Sequence, residues 1–223
     1  VSMSEDGTPT AFALTLNATD IDSSTLTWSI HTAATEGTAS TSGTGNSKAI
    51  SYMPAADFNG SDSFVVRVSD GELHDDITVN VTVEAINDSP TITSTPSTSA
   101  TEGTLYQYSA SATDVDSATL TWTLLTSPAG MTINAATGAI SWTPGEGGAS
   151  TWNESVSVRV SDGEQTDTQN FSIAVTPVNN APVISEGSST SVSMSEDGTP
   201  TAFALTLNAT DADSATLNWS VAT

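Results

Sequence analysis

The chain has 223 residues, with 26 acidic against 3 basic side chains, a net charge of −23 and no cysteine. A surface of that sign repels nucleic acid and anionic lipid, and the missing cysteines exclude a disulfide framework and a thiol nucleophile. Charged residues are only 13% of the sequence and fall at turns between apolar segments, which excludes a disordered acidic tail.

In chain order, the apolar residues alternate with Ser and Thr at period two, the pattern of half-buried strands. Phe12, Leu14, Leu16 and Ala18 share one face, followed by Leu26, Trp28 and Ile30, then Phe64, Val66 and Val68, then Ile77, Val79, Val81 and Val83. The series begins again with Tyr106, Tyr108, Ala110 and Ala112, then Leu120, Trp122 and Leu124. Val156, Val158 and Val160 come next, and Phe171, Ile173 and Val175 close it. Turn pairs such as Asp6-Gly7, Asn59-Gly60, Asp70-Gly71, Thr137-Gly138 and Asp162-Gly163 separate the runs. No segment carries a helical period. About seven short strands per ninety residues predict an all-β fold of immunoglobulin-like sandwiches.

Residues 1–30 return at 192–221 with 26 of 30 positions identical, an offset of 191, and a weaker copy of 17–30 lies at 109–124. Fixed-period similarity marks a modular array. Two repeat types therefore alternate: module A over 1–88, opening just inside its first strand, module B over 89–180, and a truncated copy of A over 181–223. The expectation is a slice of a longer chain. The joints, Ala85–Pro90 and Pro177–Pro182, sit 92 residues apart. Proline confines itself and its predecessor to extended backbone, so tandem modules with such joints form an extended array.

The motif Asp-x-Asp-Ser precedes a Trp strand three times, as Asp20/Asp22, Asp114/Asp116 and Asp211/Asp213. In extended backbone, side chains at i and i+2 point the same way, so each pair of carboxylates converges and calls for a cation. In this sandwich topology the motif and the Asp70 and Asp162 hairpins lie at the end where the chain enters the domain. Asp114, Asp116 and Asp162 are thus expected around the linker Asn87-Asp88, with Glu5 and Asp57 of the preceding module facing them. At the second joint the set is Glu102, Asn179, Asn180, Asp211 and Asp213, with no counterpart to Asp57; Asp20, Asp22 and Asp70 form an isolated half-site. All-oxygen donors suit Ca2+ over zinc or magnesium. An Asp-rich turn also forms for its own backbone hydrogen bonds alone; three recurrences beside a repeated linker favour the metal.

Ser4-Glu5-Asp6-Gly7, Asp114-x-Asp116, Val160-Ser161-Asp162-Gly163 and Ile86-Asn87-Asp88-Ser89-Pro90, in this order, resemble the cadherin family. More closely, the chain is similar to bacterial cadherin-like repeats of large surface adhesins. Module B, with Pro128-Ala129-Gly130-Met131 and Gly138-Ala139-Ile140-Ser141-Trp142-Thr143-Pro144, resembles the dystroglycan-type cadherin-like module. The resemblance implies calcium between successive domains, an extracellular or cell-surface location, and a non-enzymatic adhesive or spacer role. Its implied partners are adjacent repeats of the same chain, with like-with-like contacts or surface glycans. No run of the roughly 20 apolar residues of a membrane span is present, so no membrane insertion is expected from this segment. The competing reading is a polysaccharide-binding array attached to an exported carbohydrate-active enzyme. No catalytic constellation is recognisable.

Overall fold

The computed structural model describes residues 1–8, 10–196 and 203–221. Residues 197–202 and 222–223 of the expected third module lie outside the described residues. The chain divides into two compact units, Val1–Asp88 and Ser89–Thr223.

Unit 1 has seven strands: β1 (Ser2–Ser4), β2 (Leu14–Asn17), β3 (Thr27–Thr32), β4 (Gly37–Ser40), β5 (Ser47–Pro54), β6 (Gly60–Ser69) and β7 (His74–Glu84). They form a four-stranded sheet, β1-β7-β6-β3, and a three-stranded sheet, β2-β5-β4. β1 runs parallel to the end of β7, and the β6–β7 hairpin keeps register from Gly60↔Val83 to Ser69↔His74. Inward residues alternate as the sequence predicts. Trp28, Ile50, Tyr52, Phe64, Val66, Val79, Val81 and Val83 are buried together, with Phe12, Leu14 and Leu16 packed against them. Ile77, expected on the same inner face as Val79, is instead 47% exposed.

Unit 2 repeats the plan with β8 (Thr91–Ile92), β9 (Ser99–Thr101), β10 (Tyr106–Ser109), β11 (Ala112–Thr113) and β12 (Thr121–Thr126). β13 (Thr132–Ile133), β14 (Ala139–Trp142), β15 (Trp152–Ser161) and β16 (Thr166–Thr176) complete it. One sheet is β12-β15-β16-β9, with β9 parallel to the end of β16; the facing strands are β10-β14-β13, and β8 pairs with β11. Tyr106, Tyr108, Trp122, Ile140, Trp142, Val156, Val158, Val160, Ile173 and Val175 make the core. Gly138 shows why a bare backbone is needed in the turn before β14. Its φ is +70°, and a Cβ would stand 2.5 Å from the Ala110 carbonyl oxygen and 3.0 Å from the Trp122 ring, closer than atoms pack.

Beyond β16 the described chain has only β17 (Val183–Ile184) paired antiparallel with β18 (Ala209–Thr210). No facing sheet covers this pair among the described residues, and Phe203 and Trp219 are 60% and 53% exposed.

Candidate metal centre

The second linker gathers acidic side chains from three loops of unit 2. Thr101, the last residue of β9, sits beside Thr176 of β16. The ladder continues with the Glu102 amide donating to the Thr176 carbonyl at 3.0 Å. That places the Glu102 side chain under the linker, where Oε2 accepts the Val178 amide at 2.9 Å. The Gly103 amide donates to the Pro144 carbonyl at 2.9 Å and so draws the loop carrying Glu146 alongside. Asn180 closes the group: its Nδ2 donates to Glu146 Oε1 at 2.6 Å, and its amide donates to Asp213 Oδ2.

One carboxylate oxygen from each of Glu102, Glu146 and Asp213 lies within 4.8 Å of the others. With all three carboxylates ionised, Glu102 Oε1 and Asp213 Oδ1 are buried and accept no hydrogen bond. Buried carboxylate oxygens are normally satisfied, and among the described residues the one ion pair, Arg67–Asp76, is elsewhere. The Glu146 carboxyl is held above its ordinary range, first by sharing a hydrogen bond with Glu102 and then by burial, with the charges of Glu102 and Asp213 adding to the effect. Three crowded carboxylates, two of them with an unsatisfied buried oxygen and none with a basic partner, suit a hard divalent cation. The donors present therefore fit calcium.

Of the residues expected at this joint, Glu102, Asn180 and Asp213 are brought together. Asp211 is not part of the cluster: its Oδ1 accepts the amides of Asp213 at 2.8 Å and Ser214 at 2.7 Å, tying the turn. Asn179 turns its Nδ2 onto the Asn180 carbonyl at 3.0 Å. Glu146 had no place in the sequence expectation, which gave module B no counterpart of Asp57. Glu146 follows Pro144 by two positions much as Asp57 follows Pro54 by three, and that offset was the available signal.

The other motif residues fall in equivalent loops of the two units. In unit 1, Glu5 is buried, its Oε1 accepts the Ile86 amide at 2.6 Å, and its Oε2 has no partner. This repeats the Glu102 arrangement. Asp57 holds φ = 57°, the only non-glycine with positive φ among the described residues, in the turn before β6. Asn87 Nδ2 donates to the Asp88 carbonyl at 2.9 Å. Asp20 Oδ1 accepts the amides of Asp22 at 3.0 Å and Ser23 at 2.7 Å, and Asp114 Oδ1 accepts those of Asp116 and Ser117 at the same distances. The Asp-x-Asp pairs thus sit on bends rather than on extended backbone, which corrects the geometry expected of them. The first pair converges nonetheless. Asp22 is pushed up by a hydrogen bond to Asp20 and by the charges of Asp20 and Asp70, while the Ser23 amide, Asp22 and its amide hold Asp20 down. Asp114 keeps Oδ2 buried without a partner. Asp70 and Asp162 each cap their hairpin, Oδ1 accepting the amides two and three residues on.

Residues 1–82 match the family described as "Bacterial Ig domain" and residues 89–176 the one described as "Putative Ig domain". No curated protein sequence matches the chain significantly. Among solved structures, mouse cadherin-23 EC22–24 superposes with a TM-score of 0.52 at 20% identity, covering 96% of this chain and 74% of that one. The protocadherin gammaB7 EC3–6 cis-dimer gives 0.50 at 16% identity, covering 96% and 57%. An endo-fucoidan hydrolase of glycoside hydrolase family 107 gives 0.35 at 22% identity over 75% of this chain, which spans 26% of the hydrolase. The chain is a tandem array of bacterial immunoglobulin-like repeats with the cadherin-like sandwich fold.

Proposed function

We propose that this chain is a calcium-stiffened spacer segment of an extracellular adhesin, holding a distal binding region away from the surface that carries it. The observation that carries the reading is the cluster of Glu102, Glu146 and Asp213, with two buried carboxylate oxygens lacking any hydrogen-bond donor. Without a cation these charges repel one another and splay the linker; a divalent cation reverses the sign of that interaction and holds Val178–Asn180 in one geometry. By repetition of the residue pattern alone, we extend the assignment to the first linker, with Glu5, Asp57, Asn87, Asp88, Asp114, Asp116 and Asp162 as its donors. Asp20, Asp22 and Asp70 would then be the matching half-site of unit 1. Immunoglobulin-like repeats of these families are typically non-catalytic, in keeping with a mechanical role.

The test is thermal unfolding with calcium and with chelator, followed by small-angle scattering. Extracellular modules bind calcium at about 0.1–1 mM. At ~10 mM calcium each occupied site then adds roughly 1.4–2.7 kcal/mol, and the scattering profile stiffens. Superimposable melting curves in the two conditions would remove the proposal.

A further inference from the structure

Glu146 is the exposed member of the cluster with Glu102 and Asp213. Asn180 and Glu102 reach its carboxylate, but the backbone beneath it has little to hold it. Residues 145–148 read Gly-Glu-Gly-Gly, and Gly gives up more freedom on ordering than any other residue. No backbone–backbone hydrogen bond ties this stretch among the described residues. On its N-terminal side the loop is fixed at Pro144, which is buried and whose carbonyl accepts the Gly103 amide. Its second fixed point is Trp152. A Cβ added to Gly147 would stand 2.5 Å from Cζ2, Cζ3 and Cη2 of that indole, so the bare Gly147 backbone lies directly on the ring. A Cβ on Gly145 would meet nothing within 4 Å. The contact therefore belongs to Gly147, the residue next to the ligand, and not to the loop at large.

Trp152 is itself held in place. It opens β15 opposite Val175 of β16, and Val175 lies beside Ala100 of β9. Trp152 and Ala100 both pack on the core that contains Val175. Other parts of the centre leave from the same row of the sheet. Glu102 is two residues beyond Ala100, and Val178, whose amide donates to Glu102, is three beyond Val175. The indole thus ties the Glu146 loop to the sheet end from which Glu102 and the linker depart. A large flat side chain with few rotatable bonds suits that task.

Taking calcium as the ion of this centre, as proposed above, we infer that Trp152 is a positioning residue for it. The indole seats Gly147 and so holds Glu146 in place before the ion arrives. Such preorganisation raises affinity because the loop is ordered on folding and not on binding. With the seat removed, calcium must order residues 145–148 itself, and fixing the backbone of even one residue weakens binding roughly tenfold. Gly147→Ala reaches the same result from the other side, since the new methyl and the ring cannot share one space.

Calorimetric titration of the full 223-residue chain with calcium tests this, the second-linker site being the part of the binding that Glu102→Gln removes. At that site Gly147→Ala and Trp152→Leu should each weaken calcium roughly tenfold. Gly145→Ala, whose methyl meets nothing, and Trp152→Phe, which keeps a flat ring, should titrate close to the unsubstituted chain. The double variant is decisive: in a Trp152→Leu background, Gly147→Ala should weaken calcium no further. Thermal unfolding in chelator separates this role from core packing. A Trp152→Leu chain that melts lower in chelator but keeps its calcium affinity overturns the inference, because the ring then only fills the core. Single effects that multiply in the double variant overturn it too, as does a Gly147→Ala chain that titrates like Gly145→Ala. Should Glu102→Gln remove no binding, the calcium reading itself fails and the role of Trp152 falls with it.

Discussion

Glu102 and Val178 lie 76 positions apart, and the carboxylate of one accepts the amide of the other at 2.9 Å. The bond fastens the linker to the end of β9 and aims the second oxygen of Glu102, buried and unpartnered, at Glu146 and Asp213. Glu102→Gln preserves an oxygen for Val178 while removing a charge. The substitution should leave stability in chelator unchanged or slightly higher and abolish the calcium-induced rise in melting temperature. A calcium response equal to that of the unsubstituted chain would show that Glu102 is no ligand.

Glu146 and Asp211 should separate in the same assay. Glu146→Gln is expected to lose nearly as much of the calcium response as Glu102→Gln. Asp211→Asn is expected to lose little, because Asp211 Oδ1 already accepts two amides of its turn and an Asn carbonyl oxygen can do likewise. Calorimetric titration of the two variants decides the order.

Asp62 anchors unit 1 from within. Burial alone would raise its pKa, but the Tyr52 hydroxyl at 2.8 Å and the amides of Thr35, Ser63 and Glu36 hold the carboxyl below its ordinary range. A depressed native pKa contributes stability that is full above the unfolded value of about 4 and is lost as pH falls through the native one. Unit 1 should therefore weaken below roughly pH 4, and Asp62→Asn should flatten that dependence. Tyr52→Phe removes a hydrogen bond to a charged group and should cost about 1.5–3 kcal/mol. Chemical denaturation across pH reads both effects.

Arg67 and Asp76 face each other across β6 and β7 as a two-bonded ion pair, with Nε and an Nη each 2.8 Å from a carboxylate oxygen. At the same register in unit 2, Arg159 faces Thr168. Thr168→Asp should install the missing pair. The gain will be small because exposed ion pairs are screened, and it should disappear in about 1 M salt. A gain that survives high salt would point to packing rather than charge.

The strand pattern was legible because each inward residue belongs to a strict alternation: Trp28 with Ile30, Trp122 with Leu124, and Val156 through Val160. Periodicity reports which face a side chain occupies, not whether a neighbour covers it. For that reason Ile77, in phase with Val79, is expected inside and is instead exposed. Glu146 is not legible in the sequence because Gly145-Glu146-Gly147-Gly148 has no period at all; a backbone bond from Gly103 to Pro144 carries it into the cluster. Recurrence singles out the Asp-x-Asp pairs but does not report their conformation. An Asp followed two and three residues on by free amides prefers to cap its own bend.

A further consequence concerns load. β1 is parallel to the last residues of β7, pairing Ser2↔Thr82, Met3↔Val83 and Ser4↔Glu84, and β9 stands in the same relation to β16 through Ser99↔Ala174, Ala100↔Val175 and Thr101↔Thr176. Tension entering through β1 or β9 and leaving through β7 or β16 drags these neighbours past each other along their length. In such a shearing geometry all three pairs must yield together, whereas an antiparallel pair pulled from one end would open one bond at a time. Optical-trap stretching of the chain should accordingly show each unit resisting as a whole and giving way in a single step.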